Sequence, residues 1–227
     1  MKKLLLILSL FYNSSFATDL EKKFKDFILD NPEIILESLE NYERTKLKIL
    51  EQESKEKIDD LKNLLYEKTG LYSGDPLSPH TIIEFLDYNC SYCKLLHKNI
   101  IKLIKEKNVK VIYKNFPILS ADSIDFAKIA IILSEQNNEI FNKFHNFLLS
   151  SKKMPSMVEV EIFLSNQNID LKKIKEMFEE KFVINSLELH KRIALELKLQ
   201  GTPALIINNK LFFGYLDYNE IIKELNI

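Results

Sequence analysis

Cys90 and Cys93 are the only two cysteines in the 227-residue chain, and only Ser91 and Tyr92 lie between them. A structural disulfide usually closes a much longer loop, because the entropy it removes from the unfolded chain grows with loop length. So close a pair makes a poor staple and a good redox centre, since the second thiol stays within reach of any mixed disulfide the first one forms. Other uses of the pair have less behind them. A zinc site needs about four ligands, and His97 is the only histidine nearby, with His80, His145 and His190 forming no second pair. Haem attachment requires His directly after the second cysteine, where this chain has Lys94. A copper-handling site built from the two thiols and a distant histidine stays open. No metal and no cofactor is expected.

The segments around the pair predict how it is positioned. Residues 81–88 are β-branched and aromatic, a good strand, and residues 90–107 follow as an amphipathic helix carrying Leu95, Leu96, Ile100, Ile101, Leu103 and Ile104. Cys90 therefore falls where strand gives way to helix. Unpaired backbone N–H groups and the helix dipole favour negative charge there, and a thiol so placed can have its pKa drop to roughly 3.5–7.5. Cys93 lies one turn deeper, so Cys90 is the expected nucleophile and Cys93 the resolving thiol. A second strand over 109–116 and helical segments over 122–136, 140–150, 158–167, 171–180 and 184–199 follow. Residues 204–207 and 211–215 then read as a hairpin about Asn208 and Asn209, which tolerate the positive φ of such turns. A helix over 218–225 ends the chain. Strand, helix, strand, a block of helices and a hairpin predict a parallel crossover joined by the hairpin in one sheet. That is an α/β, thioredoxin-like fold with an all-helical insertion at about 120–198.

The chain before residue 71 is of another kind. Lys2 and Lys3, an apolar run from Leu4 to Leu10 and the ending Ser15-Phe16-Ala17 describe a signal peptide over 1–17. The run is too short for a membrane span, which needs roughly 20 residues. Residues 18–70 form an N-terminal helical arm. Asp30-Asn31-Pro32 marks a stop and a fresh start, with Asn31 as N-cap. The next helix carries a thin stripe at Ile35, Leu39, Tyr42 and Ile49, and residues 51–57 are wholly polar. So thin a stripe is either a solvated surface helix or an oligomerisation arm whose stripe meets copies of itself; a trimer is the favoured assembly. The polar stretch would then be a weak segment. Gly70 to Pro79, with two glycines and two prolines, marks the boundary before a domain over 71–227.

Composition narrows the partners. The chain is 46% apolar and 29% charged, with 32 basic against 33 acidic side chains. Removing Lys2 and Lys3 with the leader leaves 30 basic against 33 acidic residues, a net −3. No basic clustering supports a nucleic-acid partner.

Three motifs in order carry a resemblance. The run Ile83-Glu84-Phe85-Leu86-Asp87-Tyr88-Asn89-Cys90-Ser91-Tyr92-Cys93-Lys94 resembles the active-site segment of bacterial DsbA-like thiol–disulfide oxidoreductases. Asn115-Phe116-Pro117-Ile118-Leu119-Ser120-Ala121-Asp122-Ser123 resembles the turn into their helical insertion, and Gly201-Thr202-Pro203-Ala204-Leu205-Ile206-Ile207 resembles their cis-proline loop. The N-terminal region resembles the subgroup that includes trimeric, isomerase-like members and Com1-like outer-membrane antigens. The resemblance implies a cis Thr202–Pro203 bond beside Cys90, with the Thr202 backbone pairing with extended substrate. It implies that Glu84 is a buried acid able to accept the proton of Cys93, with Asp87 the weaker candidate. Tyr92 stands where the strongly oxidising members carry His, so a less oxidising couple is expected, and Tyr92 joins Thr202 and Pro203 as a substrate contact. The expected function is formation or rearrangement of disulfides in unfolded or misfolded exported proteins, served by a membrane redox partner. The expected location is the periplasm, with outer-membrane association open. A non-catalytic thioredoxin-fold binding protein or surface antigen is the alternative.

Overall fold

The computed structural model describes residues 19–227; the leader expected over 1–17 lies outside them. Helix α1 covers residues 19–30, and a break at Asn31 separates it from α2 (Pro32–Asp60). Proline is tolerated at a first helical turn, where its missing N–H would be unpaired anyway. The Asn31 side chain donates back to the Phe27 carbonyl at 2.7 Å, closing α1. Contacts divide the chain into two units, one ending at Gln52 and the other spanning Glu53–Ile227.

In the first unit, Leu20, Phe24, Phe27, Ile35, Leu39, Tyr42 and Ile49 are all exposed. The polar stretch at 51–57 is not a break: α2 runs through it. The boundary also lies earlier than the glycine and proline content around 70 suggests. Ile58, Leu61 and Leu65 are buried in a core with Ile83, Phe85, Ile112, Ile193 and Ile206, which assigns the last turns of α2 and the short α3 (Lys62–Leu65) to the second unit. These three apolar side chains, where the stripe resumes after the polar stretch, are enough to dock that segment.

The second unit is built on five strands: β1 (Tyr72–Gly74), β2 (His80–Leu86), β3 (Val109–Asn115), β4 (Ala204–Ile207) and β5 (Lys210–Phe213). Their order is β1-β3-β2-β4-β5. β2 and β3 are parallel, joined through α4 (Ser91–Glu106), and every other pairing is antiparallel. Strand β1 falls inside the segment read from sequence as a boundary, where a three-residue strand leaves no periodic signal. The β4–β5 hairpin turns on Asn208 and Asn209, both at positive φ. Between β3 and β4 lie α5 (Ala121–Gln136), α6 (Asn138–Ser150), α7 (Met157–Ser165), α8 (Leu171–Glu176) and α9 (Lys181–Glu196), and α10 (Tyr218–Leu225) follows the hairpin.

Both faces of the sheet are covered, as a parallel strand pair requires. Ile82, Leu86, Val111, Tyr113 and Leu205 pack with side chains of α4, α5, α6 and α10. Ile83, Phe85, Ile112, Ala204 and Ile206 pack with α9 and the last turns of α2. On that second face Lys114 is fully buried and donates from Nζ to the Leu64 carbonyl at the end of α3, 3.0 Å away. Burial lowers its pKa to about 8.

Candidate active site

Cys90 is the N-cap of α4: its backbone is extended (φ −79°, ψ 120°), and its Sγ accepts the Cys93 N–H at 3.4 Å. An N-cap acceptor answers one of the unpaired donors of a helix start, and here the acceptor is the reactive sulfur itself. As a thiol, Cys90 donates to the Thr202 carbonyl at 3.1 Å. The Thr202–Pro203 bond is cis, so the loop expected beside Cys90 from the resemblance is there. The two thiols are free in this structure.

The pair separates in proton affinity. A hydrogen bond from the Cys93 thiol is the largest influence on Cys90. Burial opposes it, the Thr202 side chain and the backbone N–H groups of Cys93 and Tyr92 add to it, and the Cys90 pKa is lowered to about 6. Cys93 is fully buried, and burial first, then its bond to Cys90, drives its pKa far upward. One sulfur is thus ionised at neutral pH, in a residue that keeps 6% exposure, while the other, fully buried, holds its proton. That is the arrangement a two-step disulfide exchange requires.

Glu84 sits on β2, the middle strand, and is 1% exposed. Neither carboxylate oxygen has a hydrogen-bond partner among the described residues. Burial, and after it the negative charge of Cys90, raises its pKa to about 8, and its charge in turn raises that of Cys93. The carboxyl group is therefore mostly protonated at neutral pH and close enough to sense both sulfurs electrostatically. Tyr92 is exposed. A pocket of about 460 Å³ opens beside Thr202 and Pro203, with Gln200 and Phe213 in its lining.

Asp87 does not stand free as a spare acid. Its Oδ1 accepts the Asn89 N–H at 2.8 Å, and its Oδ2 accepts the N–H groups of Ile118 at 2.8 Å and Leu119 at 2.9 Å. The sequence shows the local half of this arrangement, an Asp two residues before a turn residue, and conceals the half that closes over 31 residues.

The histidines need a correction. His97 of α4 and His145 of α6, which spacing did not pair, have ring centroids 5.2 Å apart. His145 also lies 4.0 Å from the Tyr113 ring centroid, and its Nδ1 shares a 3.1 Å hydrogen bond with the Tyr88 hydroxyl. Burial lowers the pKa of both histidines, His97 to about 4. The four aromatic residues come from separate segments, so no spacing rule could have found them, although His97 does follow Cys93 by one helical turn. Among the described residues no group of three or more His, Cys, Asp or Glu side chains is arranged to hold a metal ion.

Comparison with known proteins agrees with this geometry. Residues 66–226 match a family model described as thioredoxin. The chain is 23% identical over 159 residues to disulfide bond formation protein D of Bacillus subtilis (strain 168), covering 63% of this chain and 70% of that protein. Among solved structures, the thiol–disulfide exchange protein alpha-DsbA2 from Wolbachia pipientis is similar at 29% identity and a TM-score of 0.70, covering 76% of this chain and 94% of that one. BcfH from Salmonella enterica Typhimurium shares the fold at 18% identity and a TM-score of 0.77, over 95% of this chain and 96% of its own. The chain belongs to the thioredoxin family, as a DsbA-like thiol–disulfide oxidoreductase.

Proposed function

We propose that the protein is exported and forms or rearranges disulfide bonds in unfolded or misfolded exported polypeptides. Cys90 is the sulfur that exchanges with the client and Cys93 the one that resolves. The observation that carries this reading is the opposed proton affinity of two thiols one helical turn apart, with a protonated acid buried beneath them.

In oxidation, a client thiolate attacks Cys90 Sγ of the Cys90–Cys93 disulfide and the S–S bond breaks. Cys93 leaves as a thiolate and takes a proton, which Glu84 supplies. A second client thiolate then attacks the client sulfur of the mixed disulfide and releases Cys90 as a thiolate, stabilised at the start of α4. In isomerisation the reduced Cys90 thiolate attacks a client disulfide instead. If the client's own thiol does not resolve the adduct, Cys93 does so. With Cys90 bonded to the client its negative charge no longer disfavours ionisation of Glu84, and in its ionised form Glu84 accepts the Cys93 proton. Once Cys90 is ionised or bonded to a client it no longer donates to the Thr202 carbonyl, which then accepts from an extended client strand. Pro203 and Tyr92 flank that strand. A membrane redox partner resets the pair. The periplasm is the site of action, with outer-membrane association consistent with the resemblance of the N-terminal region.

The exposed stripe of α1 and α2 supports an oligomer, with a trimer the favoured form. Several Cys90 sites facing one client raise the effective concentration of the second encounter, which favours reshuffling over simple oxidation. Two ribonuclease assays test the function together. Refolding of the scrambled enzyme measures isomerisation, and recovery from the reduced enzyme measures oxidation. Cys90→Ser is expected to abolish both, while Cys93→Ser retains isomerisation in part and loses oxidation. Unchanged activity in Cys90→Ser would refute the assignment.

A further inference from the structure

Helix α6 carries polar side chains on its buried face. Asn138, Asn142 and His145 follow one another at steps of four and three residues, which puts them on one side of a helix. Asn138 Nδ2 donates to the Gly70 carbonyl at 2.6 Å and to the Tyr72 carbonyl at 2.9 Å. Asn142 Nδ2 donates to the same Tyr72 carbonyl at 3.0 Å. That end of α6 is therefore fixed to the start of β1, at the edge of the sheet. At the other end the carbonyl of Ser151, the C-cap of α6, accepts from Lys94 Nζ in the first turn of α4 at 3.1 Å.

His145 lies between these anchors and reaches the turn that presents the nucleophile. The hydroxyl of Tyr88, two residues before Cys90, meets His145 Nδ1 at 3.1 Å, and the two rings stand edge to face at 76°. Both side chains are buried. The Cys90 N–H closes the same turn on the Asp87 carbonyl at 3.0 Å. Tyr113, His97 and Phe141 hold the imidazole, with ring centroids 4.0, 5.2 and 5.3 Å from its own. An apolar side chain would fill that space as well. What the imidazole adds is a directional bond to a phenol hydroxyl that would otherwise be buried unpaired. The exchange steps use neither group.

We propose that α6 is a strut between the sheet edge and the active-site turn, and that His145 is the positioning residue that, through Tyr88, holds Cys90 Sγ against the Cys93 N–H and the Thr202 carbonyl. His145 touches neither sulfur nor client. The inference rests on the disulfide-exchange reading for its consequence: a sulfur held in register with its N–H donor is a stabilised thiolate, and a lower-pKa thiol leaves faster.

The test follows alkylation of reduced Cys90 by iodoacetamide across pH, beside urea denaturation of each variant. In wild type the midpoint is expected near pH 6. Tyr88→Phe keeps the ring and removes the hydroxyl. Its midpoint should rise by about one unit, a roughly tenfold fall in thiolate below the midpoint, as expected when one hydrogen bond to a charged group is weakened. Tyr88→Phe/His145→Phe removes both partners, so its stability should stay close to that of wild type while its midpoint stays raised. His145→Asn sets an amide near the Nδ1 position. It should lose stability with its ring contacts and yet keep the wild-type midpoint. The last two variants thus dissociate stability from thiol ionisation, which a merely structural His145 would not do. A midpoint unmoved in Tyr88→Phe, or one that follows stability across all three variants, would overturn the proposal. Should Tyr88→Phe not fold, the double variant carries the same decision. A wild-type protein with its midpoint near pH 6 that oxidises no reduced dithiol peptide would instead overturn the exchange reading and leave the strut standing.

Discussion

At the scale of single residues, the site works by placing like groups in unlike surroundings. Cys90 at a helix start and Cys93 inside the core differ in proton affinity although one turn separates them. The rate of alkylation of reduced protein by iodoacetamide should rise with a midpoint near pH 6, all of it at Cys90. Mass spectrometry should find Cys93 unmodified until the protein is unfolded. Equal labelling of both thiols would contradict the geometry. Glu84 makes a separate prediction through its effect on stability. Its folded pKa is raised to about 8, so the preference of the folded state for the neutral acid is fully present below the unfolded value. It is lost as pH rises through about 8. Glu84→Gln removes this dependence. Relative to wild type, the reduced variant should gain on the order of 2–4 kcal/mol of stability between pH 4.5 and pH 8.5, read by urea denaturation at each pH. A difference that does not change with pH would mean that Glu84 is not a buried titrating acid. The same substitution should slow oxidation, because an amide cannot hand Cys93 a proton.

At the scale of elements, the sheet's middle strand and the helix that follows it set the chemistry, and the rest fixes where they lie. β2 brings Glu84 beneath the site and ends at the turn that launches α4 from Cys90. The cis loop before β4 brings Thr202 to the same place from more than a hundred residues away. The last turns of α2 serve this unit from the other face, through Ile58, Leu61 and Leu65. Ile58→Ala should therefore cost about 2–5 kcal/mol, the usual range for a truncated buried aliphatic. Ile49→Ala, at an exposed position about two and a half turns earlier on the same helix, should cost less than about 0.5 kcal/mol in the isolated chain. Thermal melts at a protein concentration too low for association would compare them. Similar costs would show that α2 is docked along its whole length.

At the scale of the whole molecule, the two units divide the work. The second carries both sulfurs, the buried acid and the cis loop. The first presents a row of exposed aliphatic and aromatic side chains on α1 and α2 that its own residues do not cover. A protein beginning at Glu53 should be a monomer by light scattering and should oxidise small dithiols at a rate within about threefold of one beginning at Thr18. It should lose most of its scrambled-ribonuclease activity, since linked sites gain by effective concentration and single sites do not. A monomeric protein beginning at Thr18, at micromolar concentration, would exclude the oligomer and favour an oxidase acting one site at a time.

Local rules acting on the sequence determined a good part of this. The spacing of two cysteines at a strand-to-helix transition, the alternation of helical and strand-forming segments, and the Asn208-Asn209 turn each depend on residues close together in the chain, and the structure has all of them. The three ordered motifs carried the cis loop and the buried acid by resemblance; the structure has the cis loop at Cys90 and Glu84 buried on β2, where it influences both sulfurs electrostatically. Tertiary structure decided the rest. A three-residue strand such as β1 has no periodicity of its own and exists because β3 offers it an edge. The stripe at Ile58, Leu61 and Leu65 is legible in the sequence, but what it docks on is a face built from Ile83, Phe85, Ile112, Ile193 and Ile206, which forms only when the sheet and α9 come together. His97, His145, Tyr88 and Tyr113 meet only because two helices pack on one sheet, and Asp87 finds two of its donors only when the loop after β3 folds against the loop after β2. Contacts of that kind are set by how elements close on one another, which no local pattern of residues encodes.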